Sequence, residues 1–320
     1  TLPPSSTTRT ERIHPLPNHA TPADFEKLTD DVDQYLVGRR KYLALMNLAL
    51  VARAHMFMLS KPGTAKSMMV DQVMLRISGA TLFSLLFDKF EAKDAMFGPP
   101  SIKALKEGER RREFEGYGPD AEVVFADEIW KGSEAATTAM LELVNERRHQ
   151  VGHRKEAAKL WSMFAASNEL PEPTNNNLAA IYDRFGLRVY VDQIEDPAEM
   201  IQLLTLPPAP TNPTPVLDWA TVVDAHEQAM ALPILPETLQ AFVDLQVKLR
   251  PSGVHQSGRR QRQALDLARA NAWLRGDDEV RIDHLDFLVH YLWDQPEQRQ
   301  DVAVAVLAAA APGRAKAMAR

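Results

Sequence analysis

Five short apolar runs, at 55–59, 81–87, 122–126, 160–166 and 187–191, alternate with segments whose apolar residues recur at helical spacing. Runs that are apolar along their length, rather than at every second residue, belong to strands buried on both faces, and helical crossovers are what allow such strands to pair in parallel. The pattern predicts an α/β domain over 21–195 with a five-stranded parallel sheet. The stretch 206–215 (LPPAPTNPTP) carries five prolines and cannot lie inside a helix, so 196–216 reads as a Pro-rich linker. Helical periodicity then runs through 217–231, 236–250, 257–275, 282–293 and 296–311, which makes 217–320 an all-α domain. At the other end, residues 1–20 read as a flexible arm rich in Pro, Ser and Thr. Order is expected from Thr21, an N-cap followed by Pro22 and, in the first turn, Asp24.

Charge and composition exclude several function classes. The 37 basic and 43 acidic residues leave a formal charge of −6, which argues against a nucleic-acid partner, because phosphate-backbone affinity needs surplus positive charge. The absence of cysteine excludes disulfides, thiolate nucleophiles and Cys-ligated metals, and fits a cytoplasmic protein. The longest apolar stretch, 42–59, is interrupted by Asn47, Arg53 and His55, and the Ala-rich run 302–311 is too short to cross a bilayer, so membrane insertion is not expected. No signal-peptide core is visible in residues 1–27. Glycine, at 14 of 320 residues, is scarce for a chain that would bind ligands through glycine-rich loops.

Nevertheless, the first strand runs into Ser60-Lys61-Pro62-Gly63-Thr64-Ala65-Lys66-Ser67 and then a helix. This is the strand–loop–helix context of a phosphate-binding loop, in which Lys66 reaches the β/γ oxygens and Ser67 holds Mg²⁺. The usual pattern has glycine where Ser60 and Ala65 stand. The third strand ends in Asp127-Glu128, paired carboxylates at the edge where α/β sheets bind ligands. Asp127 is expected to orient Mg²⁺ and Glu128 to polarise an attacking water. Asn168, after the fourth strand, either positions that water or caps a turn. Arg184, before the fifth strand, either faces outward as an arginine acting in trans or forms a surface salt bridge. Arg259 and Arg260 open a helix of the second domain and could reach a γ-phosphate, or be merely solvated. His149 and His153 are four residues apart but lack the acid of a metalloprotease motif, and their segment reads as a loop. Lys131 and the Arg110–Arg112 run read as exposed charge, and nothing supports a Ser-His-Asp set.

Taken together, these segments resemble the MoxR group of AAA+ ATPases, and most closely its RavA-like branch. The resemblance covers roughly Phe25 to Trp293. Its most specific parts are Met96-Phe97-Gly98-Pro99, Ser101 through Lys106, Phe125 through Lys131, Asn145-Glu146-Arg147-Arg148, Ala165 through Pro171 and Tyr182-Asp183-Arg184-Phe185. It implies an AAA+ αβα P-loop domain, an all-α lid and a homo-oligomeric ring, normally a hexamer, with ATP or ADP and Mg²⁺ at the subunit interfaces. By position, Pro62, Gly63, Thr64, Ala65, Lys66 and Ser67 form the phosphate loop, with Ser67 and Asp127 serving Mg²⁺. Glu128 is the hydrolytic base, Asn168 sensor 1, Arg184 the trans arginine and Arg259 sensor 2, with Arg260 as the alternative. Val37 and Gly38 fall at the adenine pocket, and about 97–118 forms a helix-2 insert whose charged run 109–115 either contacts a client at the ring pore or is a solvated hairpin. The resemblance implies remodelling of a protein client, with a von Willebrand factor A-domain partner. The alternatives are a nucleotide-dependent scaffold or switch with little turnover, or an AAA+ motor subunit for metal chelation or DNA translocation.

Overall fold

The structure is a computed structural model and describes residues 19–88, 93–108, 111–151, 154–172 and 174–312. The expected arm therefore lies outside the described residues except for its last two, as do Glu109, Arg110 and His153. Ala20, expected to be part of that arm, is buried, and its N–H donates to Asp224 Oδ2 at 2.7 Å.

The five predicted strands form one parallel sheet: β1 (Met56–Leu59), β2 (Leu82–Leu86), β3 (Val123–Asp127), β4 (Ser162–Ser167) and β5 (Leu187–Tyr190), in the order β2-β3-β4-β1-β5. Alternate residues of one strand serve two cores, which is why β1 reads as a continuous apolar run. Met56 and Met58 join the cluster containing Leu28, Met46 and Val70, whereas Phe57 and Leu59 join the one containing Trp130, Met140 and Ile181.

The first core is built by α1 (Pro22–Asp33), α2 (Arg40–Val51) and α3 (Lys66–Met74), and the second by α4 (Glu134–Glu146) and α5 (Asn176–Tyr182). α1 starts where its N-terminal signal predicts, with Asp24 Oδ2 accepting from both the N–H and the hydroxyl of Thr21 at 2.8 Å. The segment 196–216 does not begin as an extended linker. It opens with α6 (Pro197–Thr205), whose N-cap Asp196 accepts from Ala198 N at 2.6 Å, and only then becomes Pro-rich coil.

Short helical turns cover Lys93–Phe97 and Ile102–Lys106, and the second domain holds α7 (Trp219–Ala231), α8 (Pro236–Leu249), α9 (Gly258–Leu274) and α10 (Arg299–Ala310), with a 3₁₀ segment over Ile282–His290 where an α-helix was expected. They extend the first core: Trp273 of α9 meets Phe25 of α1 edge-to-face at 5.6 Å.

Two local expectations are corrected. Residues around His149 form an antiparallel hairpin, Arg148–Val151 with Arg154–Ala157, in place of a loop, and the buried His149 ring lies 4.4 Å from that of Phe114. Arg112 is not free surface charge: its guanidinium, 27% exposed, donates to Asp94 and to the Gly98 carbonyl. That carbonyl belongs to a tight turn, where Gly98 has φ +75° and an added Cβ would stand 1.6 Å from Glu113 O.

Candidate functional site

The loop after β1 is shaped by two left-handed residues, Gly63 (φ +79°) and Ala65 (φ +64°). Ala65 is the N-cap of α3 and offers no side-chain acceptor, so the first-turn amides of that helix remain donors for an anion. Lys66 is buried, and its Nζ donates to Ser60 Oγ at 2.8 Å. Burial lowers the Lys66 pKa, and the nearby charges of Asp127 and Glu128 only partly oppose this. Ser67 follows, exposed, in the first turn of α3.

The two acids stand at the end of β3. Asp127 Oδ1 accepts the backbone N–H of Glu128 at 3.0 Å, and Glu128 itself is left-handed (φ +50°). A non-glycine residue in that conformation costs about 1–2 kcal/mol, and here it stands directly after the last strand residue. Glu128 Oε2 accepts from Ser167 Oγ at 3.4 Å and pairs with Lys131 Nζ at 3.2 Å. Asn168 follows directly on β4 and is exposed. The parallel register, Leu59 opposite Ser167 and Ala126 opposite Ala165, brings the Lys66 loop, both acids and Asn168 to one edge of the sheet.

Beside the loop lies a cavity of about 200 Å³. Its wall is apolar (Leu36, Val37, Met68, Ile194, Leu203 and Leu206), and its floor is Gly63, Thr64 and Ala65. An apolar slot ending on a phosphate loop suits a nucleotide base. Gly38 adjoins it with φ +65°, and an added Cβ there would meet the Glu199 carboxylate at 3.2 Å. Part of this wall comes from α6 and the coil after it, the segment expected to be only a linker. A larger cavity, about 650 Å³, opens between α1, α2 and α9, away from the loop and acids.

The arginines occupy the opposite edge. Arg184 precedes β5, whose Leu187 is level with Met56 at the start of β1, whereas the loop leaves the end of β1. Four strand residues at about 3.3 Å each put roughly 13 Å of sheet between those edges. Of the two alternatives for Arg184 the salt bridge is formed: its side chain is 18% exposed, donates to Asn145 Oδ1 at 3.0 Å and pairs with Asp183 at 2.9 Å. Burial, then the nearby charge of Arg259, lowers its pKa. Arg259 is exposed beside it. Arg260 is not a free phosphate ligand. It is 1% exposed, and its Nη1 pairs with Asp294 at 2.7 Å.

Five residues of the candidate site, Ser167, Lys131, Arg39, Leu203 and Leu206, were not legible as such in the sequence. Ser167 and Lys131 touch Glu128, and only the position of Lys131, three residues after it, hinted at this. Arg39, buried, donates from Nε to Thr64 O at 3.3 Å and also lines the cavity, while Leu203 and Leu206 carried no signal beyond hydrophobicity.

A parallel sheet in this strand order, with a phosphate loop after β1, acids after β3 and a helical lid, defines an AAA+ nucleotide-binding protein. Residues 23–206 match the MoxR domain of the MoxR-vWA-beta-propeller ternary systems, and residues 237–306 match an AAA lid domain. The chain belongs to this MoxR family of AAA+ ATPases. Two uncharacterized proteins of Methanocaldococcus jannaschii are similar along most of its length. One is 32% identical, covering 88% of this chain and 74% of its own, and the other is 33% identical, covering 84% and 70%. A crystal structure of a candidate ATPase from Cytophaga hutchinsonii shares the fold, with TM-score 0.70 at 14% identity over 89% of this chain and 94% of that one. Among the described residues no helix is long and apolar enough to cross a membrane.

Proposed function

We propose that this protein hydrolyses ATP in an Mg²⁺-dependent manner as a ring of identical subunits and uses the energy to remodel a protein client. The observation that carries this reading is the convergence of Lys66, Ser67, Asp127, Glu128 and Asn168 on one sheet edge beside an apolar cavity. In it, the base lies against Val37 and Leu206, while the loop and α3 amides with Lys66 bind the phosphates. Glu128 takes a proton from the attacking water, and Asn168 orients that water. The oxygen donors Ser67 and Asp127 fit Mg²⁺, which asks few ligands of a protein when phosphates supply the rest. When bound, the ion neutralises charge on the phosphate oxygens.

The ring follows from the arginines. Arg184 and Arg259 share the edge away from their own loop, which supports a reading in which a neighbouring copy supplies them. α6 supports this reading, for it stands at the nucleotide cavity and exposes Ile201 at 65% and Leu204 at 85%. Such a patch is unusual on a surface that stays solvated. Six subunits, a cytoplasmic setting and a von Willebrand factor A-domain partner belong to the same proposal. The partner is supported by the description of the matching family, and the RavA-like placement rests on the motif segments alone.

Phosphate release from Mg-ATP tests the proposal, with Lys66→Ala as the control that should lose both binding and turnover. A second reading, a nucleotide-dependent switch with little turnover, is favoured by the bond that already occupies Lys66. Tight binding without phosphate release would establish that reading instead, and no nucleotide binding at all would overturn both.

A further inference from the structure

Ser60 takes the first position of the phosphate loop, where glycine is usual. Its backbone makes no use of glycine's freedom: it is not among the left-handed residues, and its N–H donates to Ser167 O at 3.1 Å, continuing the pairing of β1 with β4. The departure from the pattern therefore acts through the side chain, which is 2% exposed.

That hydroxyl is a hub. It lies 2.9 Å from Lys61 O, 2.7 Å from Thr64 Oγ1 and 2.8 Å from Lys66 Nζ. A serine hydroxyl has one hydrogen and two lone pairs. Donation to Lys61 O, with acceptance from Thr64 and Lys66, saturates it. Lys66 needs such an acceptor, because it is desolvated and its acidic neighbours act on it only through space. A glycine or alanine at position 60 offers no hydroxyl to the ammonium.

Resting on the ATP-binding reading above, we propose that Ser60 is a positioning residue that holds the Lys66 ammonium against the pull of the nucleotide's β/γ-phosphates and thereby weakens nucleotide affinity. A charged phosphate oxygen is the stronger acceptor, so nucleotide wins the exchange, but each binding event gives up the bond to Ser60. Removing the hydroxyl removes that competition. It also leaves the nucleotide-free protein with a buried ammonium lacking its acceptor, which lowers its stability.

The test is calorimetric titration of the full chain with Mg-ADP and, separately, with AMP. AMP lacks the phosphates that Lys66 reaches and so reports on the rest of the site. Ser60→Ala and Ser60→Gly are each expected to bind Mg-ADP about five- to tenfold more tightly than wild type, with AMP affinity unchanged. Their nucleotide-free melting temperatures should fall, and Mg-ADP should raise them by more than it raises that of wild type. Unchanged or weaker Mg-ADP binding by both Ser60 variants, with normal binding by wild type, overturns the inference and leaves the ATPase reading intact. An equal gain for AMP also overturns it, since the effect would then not pass through Lys66. A wild type that binds neither ligand overturns the ATP-binding reading and this inference with it.

Discussion

Lys131 Nζ sits 3.2 Å from Glu128 Oε2, one helical turn along the chain, so the carboxylate assigned to water activation already has a cationic partner. Ser167 adds a hydroxyl to the same oxygen. These contacts point the carboxylate without needing nucleotide. Glu128→Gln keeps the shape and the hydroxyl contact but cannot accept a proton. It is expected to bind Mg-ATP like wild type and to lose at least about 100-fold in phosphate release. Hydrolysis at the wild-type rate would remove Glu128 from the mechanism.

Arg184 and the Lys66 loop lie at opposite sheet edges, and in the proposed ring each loop would receive its arginine from a neighbour. Arg184→Ala should bind nucleotide normally and turn over about 10³-fold more slowly, the lower end of what an arginine finger contributes. Mixing it with Lys66→Ala, which retains Arg184 but lacks the lysine, should restore measurable phosphate release in proportion to mixed interfaces. No recovery at any mixing ratio would argue against transfer between subunits.

Asp294 joins the sheet to the lid. Its Oδ1 accepts from Arg188 of β5 and from Arg260 of α9, both 1% exposed. Asp294→Asn leaves two buried guanidinium groups sharing a neutral acceptor, and breaking a buried pair from one side costs about 3–5 kcal/mol. Chemical denaturation should show that loss, whereas Arg259→Ala, an exposed change, should leave stability within about 0.5 kcal/mol. Equal stability of Asp294→Asn and wild type would mean the pairing contributes little.

His55 is held neutral at the start of β1. Its Nδ1 accepts from Met163 N at 2.9 Å and its Nε2 donates to Val144 O at 3.2 Å, so a further proton would remove the acceptor. Burial, with the charge of Arg147, pushes its pKa down to about 3, and burial pushes His290 down to about 4. Both groups stay unprotonated in the folded chain where the unfolded chain binds protons. The stability they confer is therefore complete above pH 6.5 and falls as pH drops toward those values, by up to about 1.4 kcal/mol per pH unit for each group. Urea midpoints at pH 7.5 and 5.0 measure the loss, and His55→Gln should show a smaller difference between the two. An identical difference would show that His55 does not drive the acid response.

The sheet was readable because β1, β3 and β4 are sandwiched between two cores, and even the half-buried edge strand β2 is apolar enough to stand out locally. The five runs, the Lys66 loop and the Asp127-Glu128 tip are all contiguous signals of this kind. The phosphate loop was identified despite Ser60, since strand, Lys66-Ser67 and helix were intact around it. Features assembled from distant segments were not readable. The cavity beside the loop joins residue 37 to residues 194–206 across a stretch that composition marked only as linker, because α6 is defined by its Asp196 cap and its apolar face rather than by burial. The roles of Arg259 and Arg260 could not be separated in the chain, where they are adjacent. Helical rotation buries one against Asp294 and leaves the other in solvent beside Arg184. Local pattern thus decided the five strands, the helices flanking them and the placing of the Lys66 loop and the Asp127-Glu128 tip at strand ends. Packing decided which polar atoms meet, because the Ser167–Glu128 hydrogen bond depends on the pairing of strands distant in sequence and the Ser60–Lys66 bond on how the loop folds back on itself, and no local spacing records either.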